Sequence, residues 1–160
     1  GLNAGINVLH SGTGAAAIEG AFFEITSVAV SLEYSERIPI HRGAKLAAGV
    51  IEQVLDRKRP GPQLYNLNLP LAALEGQPEL HIVPMSVARY GEHFERRQDP
   101  RGRSYYWATN DPPPPAGGEE SDLAALAAGH MTLTPLEFDM TRRQTLEEMR
   151  GWDLRTPAVD

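Results

Sequence analysis

Hydrophobic and polar positions along this chain change period several times, and each change marks an element. Over residues 12–24, Ala15, Ala16, Ala17, Ile18, Ala21 and Phe22 predict a helix with one buried side, and Ser11 stands where an N-cap belongs. Residues 27–32 alternate through Val28, Val30 and Leu32, the period of a strand. A second helix is predicted over 41–56, where Ala44, Ala47, Ala48, Ile51, Val54 and Leu55 recur at i, i+3, i+4 spacing. It stops at Arg57-Lys58-Arg59-Pro60-Gly61-Pro62, a basic run read as a solvated helix end. Leu64 to Leu69 alternates again and halts at Pro70. Helix, strand, helix, strand predicts an α/β fold, a Rossmann-like and mainly parallel sheet with crossover helices. Ligands of such sheets gather at the carboxyl ends of the strands.

The second half follows another pattern. A short strand is predicted over 81–86, then a long hairpin over 87–108 turning at Asp99-Pro100-Arg101-Gly102. Its return strand carries Tyr105, Tyr106 and Trp107, aromatics of the kind that bury against another subunit or stack on a base. Arg89, Arg96, Arg97, Arg101 and Arg103 outnumber Glu92, Glu95 and Asp99, so the arm is locally basic: charge-blunted against aggregation, or reaching for a neighbouring subunit or an anionic substrate. Residues 110–121, with four consecutive prolines, predict an extended surface loop. A short helix over 122–128 leads to a strand through Met131, Leu133, Leu136, Phe138 and Met140 whose phase shifts at Pro135, which predicts a bulge or edge. Thr141-Arg142-Arg143-Gln144 fits a capping box for a last helix with Leu146, Met149 and Trp152 on a narrow apolar stripe. Three parts result: an α/β core over 1–86, a hairpin arm and return strand over 87–140, and a terminal helix and tail over 141–160. Arm and terminal helix are predicted to build an oligomer.

Composition narrows the function. The chain of 160 residues has a formal net charge of −6, which argues against a general nucleic-acid-polymer binder while allowing a small anion in one pocket. Without cysteine there are no disulfides or thiolate metal sites, and a cytoplasmic location is expected. No apolar run has membrane-spanning length.

The opening stretch, Gly1 to Ala17, is the most informative. Two asparagines and small glycine turns lead into Ser11-Gly12-Thr13 and a run of small helix formers. The first amides of such a helix lack intrahelical partners, its dipole favours negative charge, and the hydroxyls of Ser11 and Thr13 add donors. The stretch reads as a phosphate seat. His10 borders it as a weak candidate for proton transfer. His41, His81, His93 and His130 lack metal-ligand spacing and read as surface or packing residues; Asn66 and Asn68 read as satisfying backbone groups at a strand end.

These residues together resemble the SurE family of metal-dependent nucleotidases and phosphatases, over the C-terminal two-thirds of a family member. The family's Ser-Gly-(Ile/Val)-Asn-x-Gly-x-Asn is similar to Gly1-Leu2-Asn3-Ala4-Gly5-Ile6-Asn7, and its Tyr/His-Ser-Gly-Thr-Val-Ala-Ala-Ala to His10-Ser11-Gly12-Thr13-Gly14-Ala15-Ala16-Ala17. Its Leu-Asn-(Ile/Val)-Asn-(Leu/Val)-Pro strand resembles Tyr65-Asn66-Leu67-Asn68-Leu69-Pro70. Its Asp-Pro-x-Gly hairpin resembles Asp99 to Trp107, with one extra residue before Trp107. Its late Thr-Asp and Ser-Ile-Thr-Pro-Leu segments resemble Ser121-Asp122 and Thr132-Leu133-Thr134-Pro135-Leu136.

The resemblance implies a phosphohydrolase of 5'- or 3'-nucleoside monophosphates, with short polyphosphate as a further substrate, assembled as a homodimer or homotetramer. It implies one divalent cation per subunit, Mg or Mn, with Asn3 as a metal ligand and Asn7, Ser11, Gly12 and Thr13 around the phosphate. An adjacent Asp pair completes the family's metal site. Here the adjacent acids are Glu119-Glu120 and Glu147-Glu148, in surface-like segments, so the acidic pair is expected upstream of Gly1. The alternative is a non-catalytic phosphate- or nucleotide-binding α/β module; a third reading, an interaction protein built on arm and terminal helix, leaves the opening loop unexplained. Two departures stand out. Val8-Leu9-His10 is a short interval before Ser11, read either as a deletion that tightens the loop or, the favoured reading, as residues missing there, and Gly14 replaces the usual valine, which predicts a looser helix start.

Overall fold

The computed structural model describes residues 1–76, 78–88, 92–110 and 120–156. The α/β expectation holds, with a four-stranded sheet in the order β1-β2-β6-β3. After an opening 3-10 turn (Gly5–His10) come α1 (Gly12–Phe22), β1 (Ser27–Leu32), α2 (Ile40–Arg57), β2 (Leu64–Leu69) and the short edge strand β3 (Leu80–Ile82). The hairpin strands β4 (Glu92–Gln98) and β5 (Ser104–Asn110) form a separate two-stranded sheet. Then follow α3 (Asp122–Ala127), β6 (Met131–Leu136) and α4 (Arg143–Arg150). β1 pairs parallel to β2 and β3 parallel to β6, while β6 runs antiparallel to β2.

Register explains how the sheet serves a site. Laterally paired residues share a face and alternate residues along a strand change it. One face therefore carries Val28, Leu32, Tyr65, Leu67, Leu69, Met131 and Leu133, an apolar surface packed against Ala47, Leu46, Val50, Ile51 and Val54 of α2. Leu67 and Leu69 are buried completely; truncating either to alanine costs about 2 to 5 kcal/mol. The opposite face divides along its length. Ala29, Leu64 and Leu136 meet Ala17, Ile18 and Ala21 of α1. Nearer the carboxyl end of β2 the same face becomes polar, through Ser31, Asn66, Asn68, Thr132 and Thr134, all buried. A buried polar face needs partners. The opening loop supplies them to Ser31, Asn68 and the Asn66 amide nitrogen, and Thr134 donates to the Val83 carbonyl. Among the described residues, Asn66 Oδ1 and Thr132 Oγ1 stay unpaired.

Local differences from the sequence reading have simple causes. The strand predicted over 81–86 shortens to Leu80–Ile82, because β6 pairs with it only through Leu133. Pro135 does sit within β6, on a stretch with β2 as its paired strand and β3 already ended. The capping box before α4 is absent: Arg142 occupies the N-cap with no side-chain cap bond. Asp139 takes over instead, accepting from the Thr141 amide at 3.0 Å and pairing with Arg143. On the hairpin, Arg97 lies 5.1 Å from the Trp107 ring centroid and pairs with Glu95 at 2.6 Å, which raises its pKa. The proline-rich segment 111–119 lies outside the described residues.

Candidate phosphate-binding site

Ser11 begins the site as the N-cap of α1, in extended conformation, its Oγ accepting from the Gly14 amide at 3.2 Å. The capping reading of Ser11 and the ligand reading are compatible. A hydroxyl that accepts at a cap still has its own O–H to donate. Ala15 makes the first backbone bond of the helix, to the Ser11 carbonyl at 2.8 Å. The preceding amides, Gly12 and Thr13, have no acceptor within the helix by its geometry.

The short interval before Ser11 closes without strain. Val8, Leu9 and His10 complete the 3-10 turn, and the Ser11 amide donates to the Val8 carbonyl at 3.2 Å. The missing residues predicted there are not needed to enter the helix. The tight turn also explains Gly14, where an added Cβ would lie 2.7 Å from the Val8 carbonyl oxygen. The expected loosening is thus corrected: glycine at 14 lets the turn press against the helix. Shortened loop and absent side chain go together.

Asn3 is held at four points. Its backbone amide donates to Asn68 Oδ1 at 2.8 Å, and its carbonyl accepts from Asn66 Nδ2 at 2.8 Å and Asn68 Nδ2 at 3.0 Å. Asn66 and Asn68 do satisfy backbone groups, as expected, and the groups belong to the loop lying over the sheet. Its side-chain Nδ2 donates to Ser31 Oγ at 2.6 Å, leaving Oδ1 as the remaining oxygen of the amide. Ser31, at the carboxyl end of β1, was not singled out from sequence. The strand-end rule for parallel sheets was the available signal.

A second anchor is Asp122, fully buried at the start of α3. Its Oδ2 accepts from the Gly5 amide at 2.7 Å, and its Oδ1 accepts from Ser86 at 2.8 Å and Leu123 at 2.7 Å. Gly5 has φ +56, and a Cβ there would meet Leu123 Cδ1 at 3.1 Å and the Ser86 carbonyl at 3.3 Å. Only glycine enters that corner without cost. Asp122 ties together the opening loop, the segment after β3, and α3.

Gly1, Leu2, Asn3, Ser11, Gly12, Thr13, Val30, Ser31 and Leu32 line an open cleft of about 470 Å³. Of the residues read from sequence, Asn3, Ser11, Gly12 and Thr13 converge there. Asn7 lies exposed on the 3-10 turn, outside that lining, and His10 ends the same turn, also exposed. The cleft offers hydroxyl and amide donors for an anion. For a hard cation, Asn3 Oδ1 and Ser31 Oγ are suitable in kind, since such ions prefer oxygen. They carry no charge, and no carboxylate is among the described residues lining the cleft.

A helix N-terminus capped by serine, backed by a polar sheet face at a strand's carboxyl end, is the arrangement by which α/β proteins receive anionic ligands. A sequence model described as Survival protein SurE matches residues 1–96. The chain belongs to the SurE family. It is 51% identical over 155 residues to "5'-nucleotidase SurE" of Rhodopirellula baltica, covering 97% of this chain and 61% of that protein. With "5'-nucleotidase SurE" of Symbiobacterium thermophilum the identity is 32% over 154 residues, 96% of this chain and 60% of that protein. Among solved structures, the SurE protein from Aquifex aeolicus matches with a TM-score of 0.80 and 27% identity, over 94% of this chain and 60% of that one. The chain therefore spans about three fifths of the length of the relatives it matches. No helix among the described residues is long and apolar enough to cross a membrane.

Proposed function

We propose that this chain forms the phosphate-binding part of a metal-dependent phosphohydrolase that releases phosphate from 5'- or 3'-nucleoside monophosphates, with short polyphosphate as a further substrate. The observation that carries the reading is the convergence of Asn3, Ser31 and the first turn of α1 on one cleft. The relatives' name, 5'-nucleotidase, supports the reaction class.

The chain's own residues have distinct roles. The Gly12 and Thr13 amides, with the Ser11 and Thr13 hydroxyls, bind non-bridging phosphate oxygens and favour the charge that develops as phosphate transfers. Ser31 orients the Asn3 amide so that Oδ1 is available to a cation. Asn66 and Asn68 hold the Asn3 backbone so that this oxygen stays put. A divalent cation, Mg or Mn, would supply charge neutralisation and polarisation of the phosphorus–oxygen bond. The cleft's described lining residues carry no carboxylate, and the acidic partner of such a cation is the adjacent Asp pair that the family resemblance implies. The hairpin and α4 are read as the contacts of a homodimer or homotetramer: Tyr106 and Trp107 are exposed, and α4 buries none of its residues.

The test uses the full-length protein and adenosine monophosphate. Phosphate release should collapse with chelator and return with Mg or Mn. Binding of the nucleotide without any metal-restored hydrolysis would instead establish a non-catalytic binding module.

A further inference from the structure

Away from the phosphate cleft, on the same polar face of the sheet, three potential ligands meet at the edge strand. His81 of β3 pairs in register with Thr132, which pairs with Asn68, which pairs with Ser31, so His81 ends the row that begins at the cleft. Successive strands lie about 4.8 Å apart, which puts His81 roughly 14 Å from Ser31. His130, just before β6, stacks its ring on His81 with centroids 4.2 Å apart and planes at 15°. Glu79 Oε2 lies 3.3 Å from His81 Nε2 and 3.7 Å from His130 Nδ1. The three ligand atoms fall within 4.8 Å of one another.

We propose that Glu79, His81 and His130 form a second cation site, selective for an imidazole-preferring transition metal of the Zn2+ class. In a tetrahedral zinc site with bonds of about 2.0 to 2.1 Å, ligand atoms stand about 3.3 to 3.4 Å apart. The separations of 3.3 and 3.7 Å from Glu79 Oε2 approach that spacing. The ligand backbones are fixed before any ion arrives: the Met131 amide donates to the Glu79 carbonyl at 2.9 Å, and the His130 amide to the Ala125 carbonyl at 3.0 Å. A dication lies in the plane of each imidazole it binds, so it takes both nitrogens and the carboxylate together once one ring turns out of the 15° stack toward the other. Two imidazoles and one carboxylate favour zinc, nickel or copper over magnesium, which prefers oxygen alone. The ion would clip the three-residue edge strand β3 to β6, with a fourth position left to water. Sequence spacing conceals the site, since the strand ladder alone brings the two histidines together.

The test takes the full-length protein, stripped with chelator and held in excess Mg2+, and titrates Co2+ as a spectroscopic probe. The expected result is saturable binding with the intense d–d bands of a tetrahedral nitrogen- and oxygen-ligated ion, discharged by Zn2+, together with a Zn2+-dependent rise in Tm. The double variant H81Q/H130Q should lose both signals and keep its Mg2+-supported phosphate release and circular dichroism. Should that variant fail to fold, E79Q, altered at a largely exposed side chain, should shift the Co2+ titration to higher concentration. Tetrahedral bands unchanged in H81Q/H130Q, a titration unshifted in E79Q, or wild-type protein without such bands would overturn the assignment.

Discussion

Replacing Asp122 tests how the opening loop is held. The carboxylate accepts three backbone amides, those of Gly5 and Ser86 in buried surroundings and that of Leu123 at the start of α3. Hydrogen bonds to a charged group contribute about 1.5 to 3 kcal/mol each, and stranding a buried donor costs about 1 to 3 kcal/mol. Removing the carboxylate also removes its own desolvation penalty, so the contributions do not simply add. Asp122→Ala should therefore destabilise by about 3 to 5 kcal/mol. For a domain of this size Tm falls by about 2 to 4 °C per kcal/mol, a drop large enough to read in any thermal melt. Asp122→Asn is the sharper probe. Its Oδ1 can keep Ser86 and Leu123 while its Nδ2 faces the Gly5 amide, donor against donor. The loss should be about 1 to 3 kcal/mol and localised on the loop that carries Asn3. Amide exchange by NMR should show Gly5 exposed in Asp122→Asn, with the helix α2 amides still protected. Wild-type exchange at Gly5 in that variant would refute the anchoring role.

Other substitutions probe separate links. Gly14→Val, which restores the usual family residue, forces a side chain against the Val8 carbonyl and should destabilise by about 1 to 3 kcal/mol in urea unfolding, despite glycine's poor helix propensity; equal or greater stability would refute the coupling between short turn and glycine. Ser31→Ala strands the Asn3 Nδ2 donor and should move the Mg or Mn activation curve of the full-length protein to higher metal concentration, while an unmoved curve would remove Ser31 from the site. Asp139 has a lowered pKa, caused first by its hydrogen bonds from Thr141 and then by Arg143. Its contribution to the start of α4 is present above the ordinary carboxylate range and lost as pH falls through the depressed folded value. An NMR titration of Asp139 with a midpoint at or above the ordinary aspartate value would contradict that pairing.

The α/β core was legible because its signals are local. Alternation marked β1 and β2 to the residue, and the three- and four-residue spacing of apolar side chains marked α2 almost to its ends. The edge strand β3 was overextended, since its length depends on how far β6 runs beside it. Ser11, Gly12 and Thr13 were legible as a capped helix start with exposed donors. The roles of Ser31 and Asp122 were not. Ser31 is 28 residues from Asn3, and Asp122 is 117 from Gly5, so neither bond leaves a periodic trace in the sequence. Gly14 was misread for a related reason: its neighbour, the Val8 carbonyl, arrives through a turn whose path the sequence did not disclose.

A crystal structure of the full-length protein with Mn2+ and phosphate bound tests the central claim most directly. It should place phosphate oxygens on the Gly12 and Thr13 amides and the Ser11 and Thr13 hydroxyls, with Asn3 Oδ1 on the metal. An anion and metal bound together elsewhere, with Asn3 and the first turn of α1 untouched, would contradict the account.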